Sequence, residues 1–292
     1  MKVRFVIAVA AFHFVALLAL LPQLFSWTGV VVCLLGIYGF GTLGINIGYH
    51  RLLTHRGFRS PQWLEHTLVT LGVCNLEETP AFWVGMHRRH HQFSDEDADP
   101  HSPGAGLLWA HMGWFCFERP GEERHVVTTR YAADVLRDRF YVWLERGGAY
   151  VVVLLSWVAF FVTGFGGALL TGNPPGEAAG FGASIVVWGV WVRTVAVWHI
   201  TWLVNSVTHR WGYRNFETDD DSRNNLIIGI VSNGEGWHNN HHADPRSAKH
   251  GRRWWELDVA WLSIRLLAAL GLATDIVRPS RDVPSNRSAP IE

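Results

Sequence analysis

Four stretches of this chain are apolar for long enough to cross a lipid bilayer, and nothing constrains its fold more. Hydrocarbon offers backbone N–H and C=O groups no water partners, so each crossing must be a helix that satisfies its own hydrogen bonds. The runs extend from about Val3 to Phe25, Thr28 to Ile47, Gly148 to Leu170 and Phe181 to Val204. The turn around Pro22 joins the first two and TGNPPGEAA, Thr171–Ala179, joins the last two, so the expected fold is all-α: an integral membrane protein with four transmembrane helices in two hairpins. The opening run is too long for the apolar core of a secretory signal, and no small-residue cleavage site follows it.

Between the hairpins the chain turns polar, with Arg51, Arg56, Arg59, Arg88 and Arg89 in that middle segment and no Lys or Arg in either turn. The positive-inside rule therefore predicts that residues 48–147, both termini and residues 205–277 lie in the cytoplasm as a helical cap on a domain spanning 1–277. Two shorter stretches do not span: Trp63–Leu76 is too short and mixed and is expected to form a peripheral or re-entrant helix, and Trp254–Val277, interrupted by charges, is expected to lie on the membrane or cover the core. Residues 278–292, rich in Pro, Ser and Arg, read as a disordered tail. Acidic and basic side chains balance at 25 each, which removes nucleic acid from the partners to consider. Cys33, Cys74 and Cys116 share no metal-ligand or disulfide spacing and read as packing residues. Arg193, inside the fourth run, must face protein rather than lipid, and His13, His66 and His199 read as hydrogen-bonded core histidines.

The chemistry is concentrated in histidine. Of 16, nine fall into four groups: His50 and His55 in HRLLTH, His87, His90 and His91 in HRRHH, His209 in NSVTH, and His238, His241 and His242 in HNNHH. On an α-helix, positions i, i+3 and i+4 share a face, so each HxxHH aims three imidazoles at one locus. His50 and His55, five apart, would stand roughly 140° apart on such a helix. Either the helix ends between them or they serve different metals. Asn205 shares a face with His209, a stripe that Trp198 and Trp202 extend, and that face should look toward the metal site. Every group follows a span or lies in the cap, so the topology delivers all nine to one membrane face. Nine ligands exceed the needs of one ion; with two ions, four or five nitrogens each leave room for an exogenous oxygen ligand. Imidazole alone does not choose between iron, zinc, copper and nickel. Asp95, Asp97, Asp99 and Glu235, beside the boxes, are candidates to orient the rings.

The segments HRLLTHR, HRRHHQFSDEDADPH, TWLVNSVTH and GEGWHNNHH, in this order and with four spans, resemble the membrane acyl-CoA and acyl-lipid desaturases of the stearoyl-CoA desaturase type. The layout matches over roughly residues 5 to 277, although only these boxes are specific. The resemblance implies two iron ions held by His50, His55, His87, His90, His91, His209, His238, His241 and His242, with Asn205 contacting one through water. It also implies that Thr201 and Trp202 lie near the bend of an apolar acyl tunnel. The implied reaction uses dioxygen and two electrons to remove two vicinal hydrogens, leaving a cis double bond between carbons nine and ten. The implied substrate is a fatty-acyl chain on coenzyme A, a carrier protein or a lipid. No haem-binding HPGG element occurs, so a separate donor, such as a ferredoxin with its reductase, is expected to supply electrons.

Two other readings use the same residues. A membrane di-iron hydroxylase or alkane monooxygenase would insert oxygen, but spaces its boxes differently. A zinc transporter or metal sensor would place ligands within the spans rather than at one face; zinc in overexpressed protein would reflect misloading as readily as function. Replacing His241 is expected to abolish activity, and replacing His125 or His250, outside the boxes, to matter far less.

Overall fold

A computed structural model describes residues 2–280. They form helices and connecting turns, with isolated β-bridges such as Arg59 to Thr274 but no β-strand among them. Four helices are long and apolar enough to cross a membrane: Val3–Leu20, Trp27–Thr54, Arg139–Leu170 and Pro175–Val207. The expected tail from 278 lies, from 281 onward, outside the described residues.

The boundaries depart from the apolar runs for local reasons. The first helix stops at Leu20, short of Phe25, because Pro22 forces Leu21 into an extended conformation (φ −74°, ψ 127°). Ser26 then caps the second helix by accepting a hydrogen bond from the Gly29 amide at 2.9 Å. The third long helix is broken at Gly147, whose φ of 107° is left-handed, so its apolar run proper starts at Gly148 as the hydropathy indicated. The fourth starts at Pro175, six residues before Phe181. Pro at its first position and Glu177 in its first turn both suit a helix N-terminus, and the polar composition of PGEAAG hid that helix.

The largest departure is in the second helix, which runs to Thr54 rather than Ile47. From Ile37 to Thr54 it is wound as a π-helix, and the His55 amide donates to the His50 carbonyl at 3.1 Å. Bonding from i to i+5 puts residues five apart almost one turn apart, so they share a face. The helix does not end between His50 and His55.

The fourth helix is the hub: the first, second and third all pack against it. Arg193 is fully buried there, donating to the Cys74 carbonyl and to Thr194 Oγ1, each at 2.9 Å, with its guanidinium 4.0 Å from the Phe40 ring centre. His13 Nε2 lies 3.0 Å from His199 Nε2, and His199 Nδ1 lies 3.0 Å from His111 Nε2, tying the first helix to the fourth. His66 pairs with Asp138 at 2.8 Å. The three cysteines are free and buried.

Helix Gln62–Val73, which takes in the Trp63–Leu76 stretch as far as Val73, lies along the π-wound segment. Their backbones nearly touch: a Cβ on Gly44 would fall 2.4 Å from the Gly72 amide nitrogen. Helix Val259–Ala269 also packs on this segment, its Ala260 and Ile264 sharing one apolar cluster with Ile47, Leu52, Leu64 and Leu68. These two helices fix the rotation of the segment that carries His50.

Candidate metal centre

Helix Pro80–Phe93 carries His87, His90 and His91, and the short helix His238–Ala243 carries His238, His241 and His242. His50 and His55 come from the end of the second helix, and His209 follows the fourth. All nine rings meet, in two groups: His50, His55, His87, His91 and His241 in one, His90, His209, His238 and His242 in the other.

Each HxxHH helix divides its three rings instead of aiming them at one point. The i and i+4 rings of the first helix, His87 and His91, join the five-histidine group, and its i+3 ring, His90, joins the four-histidine group. The second helix does the reverse, sending His238 and His242 to the four and His241 to the five. The two helices thus clasp both loci between them. The π-winding puts His50 and His55 in the same group, with neither a helix end between them nor a division between the two groups.

The Nε2 atoms face inward. In the five-histidine group the separations are 3.1 Å for His50 to His241, 3.1 Å for His55 to His87, 3.0 Å for His87 to His91 and 2.9 Å for His91 to His241. In the other group they are 3.0 Å for His209 to His238, 3.1 Å for His238 to His242 and 3.4 Å for His90 to His242. Nitrogens held about 2.0–2.1 Å from one ion, the length of an imidazole–zinc bond, and subtending roughly 90–110° stand at such distances. The donor set therefore fits a metal ion in each group.

Four carboxylates fix the opposite edges of the rings. The Nδ1 atoms of His50, His90, His209 and His242 lie 2.7, 3.0, 2.9 and 2.6 Å from Glu235, Asp99, Asp95 and Asp220. A proton at Nδ1, donated to a carboxylate, leaves the Nε2 lone pair for a metal. Asp95, Asp99 and Glu235 were legible beside the boxes. Asp97 is exposed instead, because the turn that buries Asp99 points its neighbour outward. Asp220 was missed, its one signal being the acidic run Asp219–Asp221 between the third and fourth boxes.

Burial, reinforced by neighbouring imidazoles, pushes His55, His87, His91, His238 and His241 well below the usual histidine range, toward the neutral form a ligand needs. Burial lowers His242 too, to about 4, against the pull of Asp220. For Asp99 and Glu235 burial disfavours charge, but His90 and His101 outweigh it at Asp99, and Arg51, His250 and His50 at Glu235. Both stay well below the usual carboxylate range. Arg51 is buried and donates to both Glu235 and Asp258, locking the base of the five-histidine group.

His250 does not stand apart from the boxes as expected. The chain returns after HNNHH and places it in the core, with its ring centre 4.5 Å from that of His241 and its Nδ1 3.4 Å from Glu235.

Two adjoining cavities open beside the groups, both lined by Trp83, His87, Thr201 and Asn205. Trp202 is buried, stacks on Trp198 with ring centres 5.7 Å apart, and lines the first cavity; His238 lines the second. Thr201 Oγ1 donates at 3.0 Å to Glu77, a carboxyl that burial pushes up to about 8. The stripe inferred from residues 198, 202 and 205 thus lines the cavity that reaches His87 of the five-histidine group.

The family model for fatty acid desaturase matches residues 24–274. The sn-1 stearoyl-lipid 9-desaturase of Synechocystis sp. is 40% identical over 276 residues, covering 94% of this chain and 80% of that protein. The sn-1 stearoyl-lipid 9-desaturase of Anabaena variabilis is 41% identical over 264 residues, 90% of this chain and 89% of that protein. The sn-2 palmitoyl-lipid 9-desaturase of Nostoc sp. is 41% identical over 273 residues, 93% of this chain and 89% of that protein.

Proposed function

The chain belongs to the fatty acid desaturase family, and from that premise we propose that it is a membrane acyl-lipid desaturase that introduces a cis double bond at carbon nine of a saturated acyl chain. The observation that carries this reading is the sorting of nine imidazoles into a group of five and a group of four with their Nε2 atoms converging. The acyl-lipid assignment and the bond position are supported by the names of the three relatives above.

The two groups would each hold an iron ion, His50, His55, His87, His91 and His241 around one and His90, His209, His238 and His242 around the other. Bound there, the pair supplies the redox chemistry that couples dioxygen and two electrons to the loss of two vicinal hydrogens. The protein's part is positional. The methylenes of an acyl chain are chemically alike, so only placement against His87 and Asn205 can choose one bond. Thr201 and Trp202 form that wall, and Asn205 would meet one ion through water. The four carboxylates keep the rings of His50, His90, His209 and His242 in the right tautomer.

In this reading the four long helices form two hairpins, the boxes and both termini face the cytoplasm, and a separate protein such as ferredoxin delivers electrons there. The test is lipid profiling of a host that makes this chain with a ferredoxin system and is fed saturated chains of several lengths. A new 9-ene esterified in membrane lipid is the expected product. A hydroxylated chain as sole product would overturn the desaturase reading.

A further inference from the structure

Two buried histidines remain outside the nine, and they occupy equivalent places. His101 faces Asp99, the carboxylate that orients His90, with its Nδ1 3.8 Å from Asp99 Oδ1. His250 faces Glu235, the carboxylate that orients His50, at 3.4 Å. His101 lies with its ring centre 4.2 Å from that of His90, tilted by 35°; His250 lies 4.5 Å from His241 at the same tilt. One such ring therefore serves the four-histidine group and one the five.

Neither ring is placed by hydrogen bonds of its own. His101 Nδ1 and both nitrogens of His250 are buried without a partner, although the residues are only 4% and 1% exposed. The backbones do the placing: the His250 amide donates to Asp258 Oδ2 at 2.8 Å and its carbonyl accepts from Asn240 Nδ2 at 2.9 Å, while the His101 amide donates to Asp99 Oδ1 at 3.1 Å. A ring retained for packing alone would be better as phenylalanine, which buries no unpaired nitrogen. A third cation between His250 and Glu235 is disfavoured, because the Arg51 guanidinium already sits on that carboxylate at 2.8 Å. What remains for His250 is the imidazole edge against the carboxylate and the imidazole face against the ligand ring; His101, which also borders the first cavity, makes the same two contacts with Asp99 and His90.

We infer that His101 and His250 are paired positioning residues, each holding the carboxylate and ligand ring of one metal group, His101 for the group of four and His250 for the group of five. Each acts through its carboxylate and the ring it covers, not as a ligand. The inference rests on the proposal that both groups hold iron, and it adds that the two ions are supported separately.

The test uses full-length protein purified from cells grown with 57Fe, read by iron content and Mössbauer spectroscopy. Wild type is expected to hold two irons per chain with two equal subspectra. H250F, which keeps a ring but loses its nitrogens, should alter or deplete one subspectrum and leave the other. H101F should do the same to the other half. H250N and H101N, whose amides can take the place of Nδ1, should restore the wild-type pattern in part. H250Q and H101Q serve if a phenylalanine variant fails to insert in the membrane. Phe variants with unchanged spectra, variants that disturb both halves alike, or Asn variants no better than Phe would overturn the inference. Wild-type protein without a two-iron spectrum would instead overturn the proposal beneath it.

Discussion

His90 and His242 stand on helices about 150 residues apart in sequence, yet their Nε2 atoms lie 3.4 Å apart, while the helix neighbours of His90 turn to the other group. Each HxxHH helix therefore serves both loci, so neither HxxHH box can be lost without damaging both. Replacing His90 or His241 by Ala is expected to abolish unsaturated product while the chain still appears in the membrane fraction, because the spans lie elsewhere. Gas chromatography of the lipids beside an immunoblot of membranes checks this.

The ring-orienting carboxylates separate from their exposed neighbour. Asp220 lies 2.6 Å from His242 Nδ1, whereas the side chain of Asp97 is exposed. D220N is expected to weaken iron retention by roughly 10–100-fold, and D97N to leave it unchanged, as measured by iron per chain after graded chelator treatment.

The π-wound segment is held by a backbone contact that tolerates no side chain. G44A would drive a Cβ into the Gly72 backbone, which has no flexible end to yield, at a destabilisation of about 1–3 kcal/mol. G39A meets nothing within 4 Å and is the control. Thermal unfolding in detergent should show a lower Tm for G44A alone.

Glu77 predicts an unusual pH dependence. Burial raises its pKa from 4.5 to about 8, so between those values the folded chain keeps a proton that the unfolded chain releases. Stability from this group is whole below pH 4.5 and is lost as pH rises toward 8. At about 1.4 kcal/mol per unit the effect reaches a few kcal/mol. E77Q removes it, so the Tm of E77Q relative to wild type should climb between pH 5 and pH 8. A Tm of E77Q relative to wild type that stays constant or falls over that range would refute the buried neutral carboxyl.

The boxes were legible because helical spacing is local: i, i+3 and i+4 can be read from HRRHH and HNNHH without knowing their surroundings. How the rings are divided was not, since which of two loci a ring faces depends on the rotation of one helix against another. His50 and His55 misled for a related reason. Their separation looks wrong on an α-helix and right on a π-helix, and the π-wound segment packs closely on its neighbour at Gly44 and Gly72, a contact that the spacing of the histidines does not reveal. Asp220 and His250 were invisible because they reach the site through turns, where sequence distance carries no geometric period.

Anomalous diffraction at the iron absorption edge, from crystals of iron-loaded protein, bears most directly on the two-ion reading. It should give two peaks per chain, one among His50, His55, His87, His91 and His241 and one among His90, His209, His238 and His242. A single peak, or iron lying outside these rings, would contradict it.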